Sequence, residues 1–326
     1  MYHCAPLPMK TLLALMLALA APCAGAADYP ARPVTVIVPF STGSASDVIA
    51  RIVLERMSAS VGQRFIVDNR PAAGGNLGTL AATRATPDGY TILMSTSGPL
   101  AANKSLYGDL GYDPERDLQP ISLYASLPNI VVVSAKLPVT TLAALIDYAK
   151  AHPNLPYGSV GNGSSQHLAG AYFEQLAGLS LTHVPYRVTS QLQSDLVAGE
   201  VPVGFQLLPN VIAQLKARQV RALGVASARR LAALPDVPTA AELGLKGYES
   251  AAWFAFMAPP GLGRAIVERL HSLIAAATSD PTVRARFAEF GAEPLATTPE
   301  ELGRFISAEV AKWRGIIAKA GIKIEP

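Results

Sequence analysis

The clearest change of hydrophobic pattern along the chain falls in residues 33–51. Val34, Val36 and Val38 belong to a short apolar, β-branched run, which is typical of a strand buried on both faces. Pro39 then ends the strand because it lacks an amide hydrogen. Apolar residues recur after it at helical spacing, which predicts a helix with one buried stripe. The members of this stripe are Val48, Ile49, Ile52, Val53 and Met57.

A loop of small hydroxyl residues joins this strand to the helix. Ser44 and Asp47 fit the capping-box pattern, in which a hydroxyl accepts from one free amide and an acid reaches back to another. The first amides of the helix have no partner within it, and this end of its dipole is positive, so an anion can bind there. An ordinary strand-to-helix turn has the same pattern, and this stretch alone leaves both interpretations open.

The alternation of strands and helices continues along the chain. Strands are predicted at 65–67 and 90–94, separated by a glycine-rich turn at 71–78 and a short helix at 79–85. Parallel strands need helical crossovers, and their loops meet at one edge of the sheet. The glycines of 74–78 lack the full spacing of a dinucleotide-binding turn, so no such cofactor is expected.

A second strand-and-helix series begins after a segment interrupted by Pro114, Pro120 and Pro128. We place the first crossing between lobes there, because a buried strand is predicted at 130–133. A loop of Gly, Asn and Ser at 161–165 then repeats the opening arrangement of strand, polar loop and helix. The other predicted elements are strands at 157–160, 182–184, 203–205 and 222–225, and helices at 141–152, from the loop to 177, at 191–198 and after Pro209.

The chain is predicted to return to the first lobe through an apolar and aromatic stretch at 251–258. Two helices then complete it, the last with Thr298 as its N-cap and a proline at its first helical position. The predicted fold class is therefore α/β, with two three-layer lobes joined by a hinge. Lobe 1 is expected to contain residues 27–127 and 252–326, and lobe 2 residues 128–251.

Residues 1–26 have the composition of a secretory signal peptide. Lys10 precedes a short apolar run, and small residues at 24–26 form a signal-peptidase site. The run is too short to cross a bilayer, which requires about 20 apolar residues. Cleavage is expected after Ala26, which gives a periplasmic chain without a membrane span. Met9 is an alternative start.

Both cysteines, Cys4 and Cys23, lie in the segment that is expected to be removed. The remaining chain would therefore have no thiol nucleophile, thiolate metal site or disulfide. A lipid anchor at Cys23 is an alternative, although Pro22 directly before it fits that processing site poorly.

Composition narrows the classes of function. The chain has 326 residues, of which 50% are hydrophobic, and a formal net charge of +3. Its length favours about two domains, and so small a charge without a basic run argues against nucleic acid as a partner. The histidines lack a metal-binding spacing, and no hydrolase nucleophile motif occurs, so neither a metal site nor a catalytic centre is expected. For His167, beside the second loop, packing is the simpler interpretation.

Two loops rich in hydroxyl and amide groups, one from each lobe, are the expected ligand site. Each charge-assisted hydrogen bond from such a loop to a carboxylate contributes about 1.5–3 kcal/mol. Phe40 and Tyr186 are expected to wall the cleft between the lobes. The ligand-binding candidates are Phe40, Ser41, Thr42, Gly43, Ser44, Asp47, Ser97, Gly161, Asn162, Gly163, Ser164, Ser165, Tyr186 and Gln206.

Several short motifs follow one another in a distinctive order between residues 29 and 322. They are Ile37-Val38-Pro39-Phe40 with Gly43 and Asp47, Asp68-Asn69-Arg70-Pro71 with Gly74-Gly75-Asn76, Pro87-Asp88-Gly89-Tyr90-Thr91, Gly161-Asn162-Gly163-Ser164-Ser165, His167-Leu168-Ala169-Gly170, His183-Val184-Pro185-Tyr186, Leu234-Pro235-Asp236-Val237-Pro238-Thr239 and Pro299-Glu300-Glu301. In this order they resemble the Bug-type periplasmic receptors, the substrate-binding subunits of tripartite tricarboxylate transporters. The resemblance implies a type II periplasmic binding fold, or Venus flytrap, whose two loops hold a carboxylate.

The sequence departs from the usual pattern of that family at the site itself. Thr42 and Ser44 replace a proline and a glycine, Gln206 stands where an aspartate is common, and Arg187-Val188 stands where Lys-Gly is common. Loss of an acid and gain of hydroxyls should make the pocket more tolerant of a second negative charge. We hypothesise that Gln206 accommodates a distal carboxylate or a neutral polar group of the ligand.

The expected function is that of an extracytoplasmic, non-enzymatic receptor. It would capture a small organic acid as a monomer, without a cofactor or metal, and deliver it to membrane permease subunits. A ligand sensor for a membrane signalling protein is one alternative. An exported α/β hydrolase is another, and it would require a base beside Ser44 or Ser164.

Overall fold

The computed structural model of the protein describes residues 29–320 and residue 322. Within these residues the strands form two separate sheets, one of six strands and one of five. The expected signal segment, with Cys4, Cys23 and the cleavage position after Ala26, lies outside the described residues. None of the helices described is both long and apolar enough to cross a bilayer.

The first sheet combines strands from the beginning and the end of the described chain. Its order is β11, β4, β10, β3, β1, β2, where the strands are β1 (Val34–Val38), β2 (Phe65–Asn69), β3 (Thr91–Thr96), β4 (Gln119–Pro128), β10 (Ala251–Ala258) and β11 (Glu293–Pro294). Strand β1 is parallel to β2 and β3, whereas β10 is antiparallel to β3 and β4.

The second sheet is built from the middle of the chain. Its order is β7, β6, β8, β5, β9, where the strands are β5 (Ile130–Ser134), β6 (Leu155–Ser159), β7 (Leu181–Pro185), β8 (Val203–Gln206) and β9 (Val220–Val225). Strand β6 is parallel to β7 and β8, so the loops after β6 and β7 lie at the same edge.

Helices cover both faces of the first sheet. Val36 of β1 packs in the cluster that contains helix residues Ile49 and Leu270, whereas the next residue, Ile37, packs with Leu302 on the opposite face. Burial on both faces explains why β1 is apolar at successive positions. The helices are α1 (Ala45–Val61), α2 (Asn76–Thr83), α3 (Asn103–Leu106), α4 (Leu142–Ala151), α5 (Ser165–Ala177), α6 (Thr189–Ala198), α7 (Leu208–Lys216), α8 (Arg264–Ser279), α9 (Pro281–Glu289) and α10 (Pro299–Ala320).

The two segments that connect the sheets lie side by side. Asn129 separates β4 of the first sheet from β5 of the second, and Ser250 immediately precedes β10. The Asn129 amide donates to the Ser250 carbonyl at 2.8 Å, and the Asn129 carbonyl accepts from the Ala226 amide at 2.8 Å. The Asn129 and Ser250 side chains are also hydrogen-bonded, at 3.1 Å. Paired crossing segments of this kind are the arrangement of a hinge.

Three predicted elements differ from the structure. The proline-interrupted segment contains the ten-residue strand β4, since Pro120 and Pro128 lie near its ends, where a missing amide costs least. Helix α2 begins at Asn76, within the predicted glycine-rich turn. The chain closes with three helices rather than two, because Asp280 ends α8 and its side chain caps α9.

The final helix provides a test of local stability. Thr298 Oγ1 accepts from the Glu301 amide at 3.2 Å, and the Glu301 carboxylate accepts from the Thr298 amide at 2.8 Å, as in a capping box. Thr298→Ala should lower the free energy of unfolding by about 1 kcal/mol in chemical denaturation. Thr282→Ala is the control, since the neighbouring helix α9 is capped by Asp280 instead; an equal loss there would contradict the capping role.

Candidate functional site

Two loops of the same design face each other between the sheets. The first joins β1 to α1 and the second joins β6 to α5. Their N-cap residues, Ser44 and Ser164, have nearly the same extended backbone, and each Oγ accepts a 3.3 Å hydrogen bond, from the amides of Asp47 and His167 respectively. Both N-caps are buried. The positive ends of two helix dipoles therefore point into the cleft.

A small cavity lies between these helix ends. Its volume is about 10 Å³, the space of about one water molecule. The backbone amides of Ser46, Ser165 and Gln166 have no acceptor among the described residues. The cavity is lined by Phe40, Ser44, Ala45, Ser46, Thr96, Val160, Ser165, Gln166, Leu207, Asn210, Ala252 and Phe254. Free amides at two helix N-termini, with no acidic side chain in the lining, favour an anion.

A larger cavity of about 590 Å³ adjoins the small one. Phe40 and Val160 line both cavities, which therefore lie next to each other. The volume lies within the range of about 300–1,000 Å³ found for small-molecule sites. The remaining lining residues are Pro39, Ser41, Pro71, Ala72, Ala73, Gly74, Gly75, Leu77, Leu106, Tyr107, Gly108, Gly161, Asn162, Pro185, Tyr186 and Arg187.

The candidates from the sequence fall into three groups. Those that line the small cavity are Phe40, Ser44 and Ser165. Those that line the larger cavity are Phe40, Ser41, Gly161, Asn162 and Tyr186. The candidates outside both linings are Thr42, Gly43, Asp47, Ser97, Gly163, Ser164 and Gln206.

Asp47 stabilises the first loop through its buried carboxylate. Its carboxylate is buried, lies 2.9 Å from the Arg51 guanidinium and accepts from the Gly43 amide and the Asn69 side chain at 3.0 Å. A buried carboxylate needs such donors to offset its lost hydration. Its oxygens are thus occupied by the protein, and its direct role is to shape the loop.

Gln206 contacts Asn210, a residue that was not among the candidates from the sequence. Gln206 Nε2 donates to the Gly158 carbonyl at 3.1 Å, and Gln206 Oε1 accepts from Asn210 Nδ2 at 3.2 Å. Asn210 Oδ1 in turn accepts from the backbone amide of Ala45 at 2.7 Å, across the cleft. Gln206 therefore orients Asn210, and Asn210 accepts a hydrogen bond from the first backbone amide of α1.

Other polar contacts also join the two sides of the cleft. Ser41 Oγ lies 2.9 Å from Thr189 Oγ1 and accepts from the Thr189 amide at 3.2 Å. The Tyr107 hydroxyl donates to the Asn162 carbonyl at 3.1 Å. No sequence motif marks Thr189, Tyr107 or Asn210 as part of the site, because only folding of the chain brings them to the cleft.

Backbone atoms of the two lobes are in direct contact at Gly74 and Gly98. A Cβ atom at Gly74 would overlap the Asn162 carbonyl oxygen, and one at Gly98 would overlap the carbonyl oxygen of Gly163. Gly98 does not have a left-handed backbone, so it is the contact, rather than its φ angle, that requires glycine there. The closed arrangement therefore depends on the absence of side chains at these positions.

Buried polar atoms without a partner lie beside the same contact. Ser97 Oγ, the Asn76 side-chain nitrogen and the Asn103 side-chain oxygen find no partner among the described protein groups. Asn103 lies against Gly163 of the opposite loop. Each such group costs about 1–3 kcal/mol when it is buried without a partner.

Two stacked histidines support the second loop. The His167 and His183 rings lie 4.1 Å apart between centroids. Burial lowers the pKa of His167 to about 4, and burial followed by the neighbouring His167 lowers the pKa of His183 to about 3. His167 Nδ1 accepts from the Gly163 amide at 3.0 Å, while His183 Nε2 lies 2.6 Å from Ser159 Oγ, which accepts from the Gly161 amide at 3.1 Å. The neutral rings thus position the loop.

Comparison with known proteins identifies the family. A family model described as the tripartite tricarboxylate transporter family receptor matches residues 49–322. The chain belongs to this family. Protein BugT of Bordetella pertussis is 36% identical to this receptor over 299 residues, which cover 91% of this chain and 92% of BugT.

Solved structures agree with this assignment. R. palustris Rpa4515, determined with adipate, has a TM-score of 0.88 and 37% identity to the receptor, over 91% of this chain and 99% of that chain. The periplasmic binding protein BugD has a TM-score of 0.87 and 32% identity, over 91% and 100%. The two-lobed Venus flytrap fold and the Bug-type resemblance are confirmed. The receptor is an extracytoplasmic solute-binding protein and not an enzyme.

The glycine contact predicts how closure can be blocked. Gly98→Ala should keep each lobe folded but hold the receptor open, because the added methyl group would overlap the Gly163 carbonyl. If closed molecules become ten times rarer, apparent affinity for a bound acid falls about tenfold. Small-angle scattering and titration calorimetry would measure both effects. Gly315→Ala, where a Cβ meets no atom, is the control; normal closure in Gly98→Ala would contradict the prediction.

The histidine pair predicts a dependence of stability on pH. The folded pKa of each ring lies below the ordinary value of 6.5, so the unfolded chain takes up protons first as pH falls. The contribution of the neutral rings is complete above pH 6.5. It decreases by about 1.4 kcal/mol per pH unit for each ring, down to about pH 4 for His167 and about pH 3 for His183.

Chemical denaturation across this window should show a shallower decrease for His183→Gln than for the parent protein. His152→Gln, at an exposed position, should keep the parent slope. Equal slopes in all three proteins would rule out the buried pair as the source.

Proposed function

We propose that this receptor captures a small organic acid by holding one carboxylate between the N-termini of α1 and α5. The observation that carries the proposal is the pair of helix ends with free amides at Ser46, Ser165 and Gln166. A carboxylate accepts from several such donors at once, and each charge-assisted bond contributes about 1.5–3 kcal/mol. Rpa4515, which was determined with adipate, supports a carboxylate as the ligand.

The ligand site proposed here consists of the sequence candidates together with Asn210. Those that line the cavities would contact the solute, and Asp47, Ser164 and Gln206 would hold the contacting groups in place. Gln206 acts through Asn210 in this proposal, rather than on a distal carboxylate as first hypothesised. Its hydrogen bonds to Gly158 and Asn210 support that indirect role.

Closure of the two lobes would distinguish the ligand-bound receptor from the empty one. Lobe 1 would comprise residues 27–127 and 252–326, and lobe 2 residues 128–251, with Asn129 and Ser250 at the hinge. The open form would hydrate the buried polar atoms near Gly98, and a bound carboxylate would offset their loss of water on closing. Membrane permease subunits would recognise the closed monomer, after cleavage of the signal peptide behind Ala26.

A thermal-shift screen tests the proposal. The protein should first be unfolded and refolded to remove any acid that copurifies with it. Mono-, di- and tricarboxylates, aromatic acids and amino acids are then added. A ligand at 100 times its dissociation constant raises the free energy of unfolding by about 2.7 kcal/mol, so the matching class should raise the melting temperature. No shift with any class would overturn the proposed function.

The amide of Ser165 permits a sharper test. Ser165 is the first residue of α5 and follows an extended N-cap, so proline fits there without breaking the helix but removes the amide hydrogen. Ser165→Pro should weaken binding of the acid found in the screen by roughly ten- to hundredfold. Ser165→Ala removes only the hydroxyl and should cost much less. Similar losses in both variants would show that the amide is not a ligand donor.

A further inference from the structure

Helix α6 takes the acceptor for its first amide from the opposite side of the cleft. Its N-cap residue, Val188, has no hydrogen-bonding side chain, and the amide of Thr189 directly after it has no acceptor within the helix. The Thr189 amide donates instead to Ser41 Oγ at 3.2 Å, and the two hydroxyl groups lie 2.9 Å apart. Ser41 follows β1 of the first sheet, whereas α6 follows β7 of the second. These two hydrogen bonds therefore exist only while the two sides of the cleft are in contact.

Helix α1 has the reciprocal arrangement. Its own N-cap, Ser44, accepts from the amide of Asp47, which is the position that an N-cap side chain normally reaches. This leaves the first amide, that of Ala45, without a partner in the helix. Asn210 Oδ1, which belongs to the second-sheet side, accepts from that amide at 2.7 Å. Each side of the cleft thus provides the acceptor for the first amide of a helix on the other side.

Both acceptors are fixed by contacts within their own side of the cleft. The carbonyl of Phe40, which directly precedes Ser41, accepts from Asn69 Nδ2 at 3.0 Å. On the other side, Asn210 Nδ2 donates to Gln206 Oε1 at 3.2 Å. Because neither of these contacts crosses the cleft, opening it leaves the acceptors oriented for the next closure.

The exchanged hydrogen bonds do not use the amides that are assigned to the solute. The free amides at the helix ends are those of Ser46, Ser165 and Gln166, whereas the exchanged bonds use the amides of Ala45 and Thr189. Closing the cleft can therefore form the exchanged bonds whether or not a solute is bound.

We propose that this exchange of helix acceptors is a latch that keeps a share of the receptor closed before any solute binds. It offsets part of the cost of the unpaired polar atoms beside Gly98. Such a latch raises the apparent affinity, because affinity increases with the fraction of molecules in the binding-competent form. The inference rests on the lobe movement in the proposed function, but it concerns the empty receptor and not the choice of solute.

Refolded, solute-free protein tests the latch. Ser41→Ala removes the partner of both bonds to α6, and we expect the ratio of closed to open molecules to fall roughly ten- to thirtyfold, the effect of two ordinary hydrogen bonds. Small-angle scattering should then give a larger mean radius of gyration than for the parent protein. Exchange of the Thr189 amide hydrogen, followed by nuclear magnetic resonance, should also be faster. Ser41→Thr keeps the hydroxyl group and should restore most of both properties.

Thr42→Ala is the matched control, because the Thr42 hydroxyl donates to Asn69 within its own side of the cleft, at 3.0 Å. Its radius of gyration and its Thr189 exchange should equal those of the parent. An unchanged radius of gyration or unchanged Thr189 exchange in Ser41→Ala would overturn the latch, as would equal changes in Thr42→Ala. The thermal-shift screen decides the proposed function separately, since a receptor without the latch can still bind an acid from its open form.

Discussion

The structure depends on two helix N-termini that face each other across a narrow gap. Both α1 and α5 are capped by a serine, and both keep amides free beyond that cap. Two positive dipole ends brought together in a water-poor cleft repel each other unless negative charge or acceptor atoms lie between them. The side-chain carbonyl of Asn210 accepts from one amide of α1, and in the proposed function the free amides of both helices bind the ligand. In the proposed function, closing the lobes and binding an anion are therefore coupled by the same electrostatic requirement.

The rest of the fold makes that approach possible and reversible. Two crossing segments, hydrogen-bonded to each other at Asn129 and Ser250, connect the two sheets. Gly74 and Gly98 let one loop touch the backbone of the other. Buried side-chain atoms of Asn76 and Asn103 lack partners among the described residues, and in our proposal this cost opposes closure of an empty cleft. A ligand can shift such an equilibrium only through its preference for the closed form.

The elements nearest the site followed from local pattern, whereas side-chain direction did not. Burial on both faces explained β1, and the capping residue Ser44 marked the start of α1. Strand β4 was missed because prolines at its ends looked like interruptions. Gln206 was expected to face a ligand, but its pairing with Ile130 in the sheet and its bonds to Gly158 and Asn210 direct it inward. The local sequence pattern around a residue does not indicate which residues of other strands it will contact.

The sequence by itself determined the two-lobed α/β class, the family, and the two polar loops at helix starts, because hydrophobic period and capping chemistry are local properties. Tertiary structure alone decided which groups meet: Asn210 with Ala45, Thr189 with Ser41, and the histidine pair with the second loop. It also placed Arg187 at the larger cavity. These contacts join residues far apart in the chain, and their geometry follows from how two sheets and their hinge pack together, which no single stretch of sequence encodes.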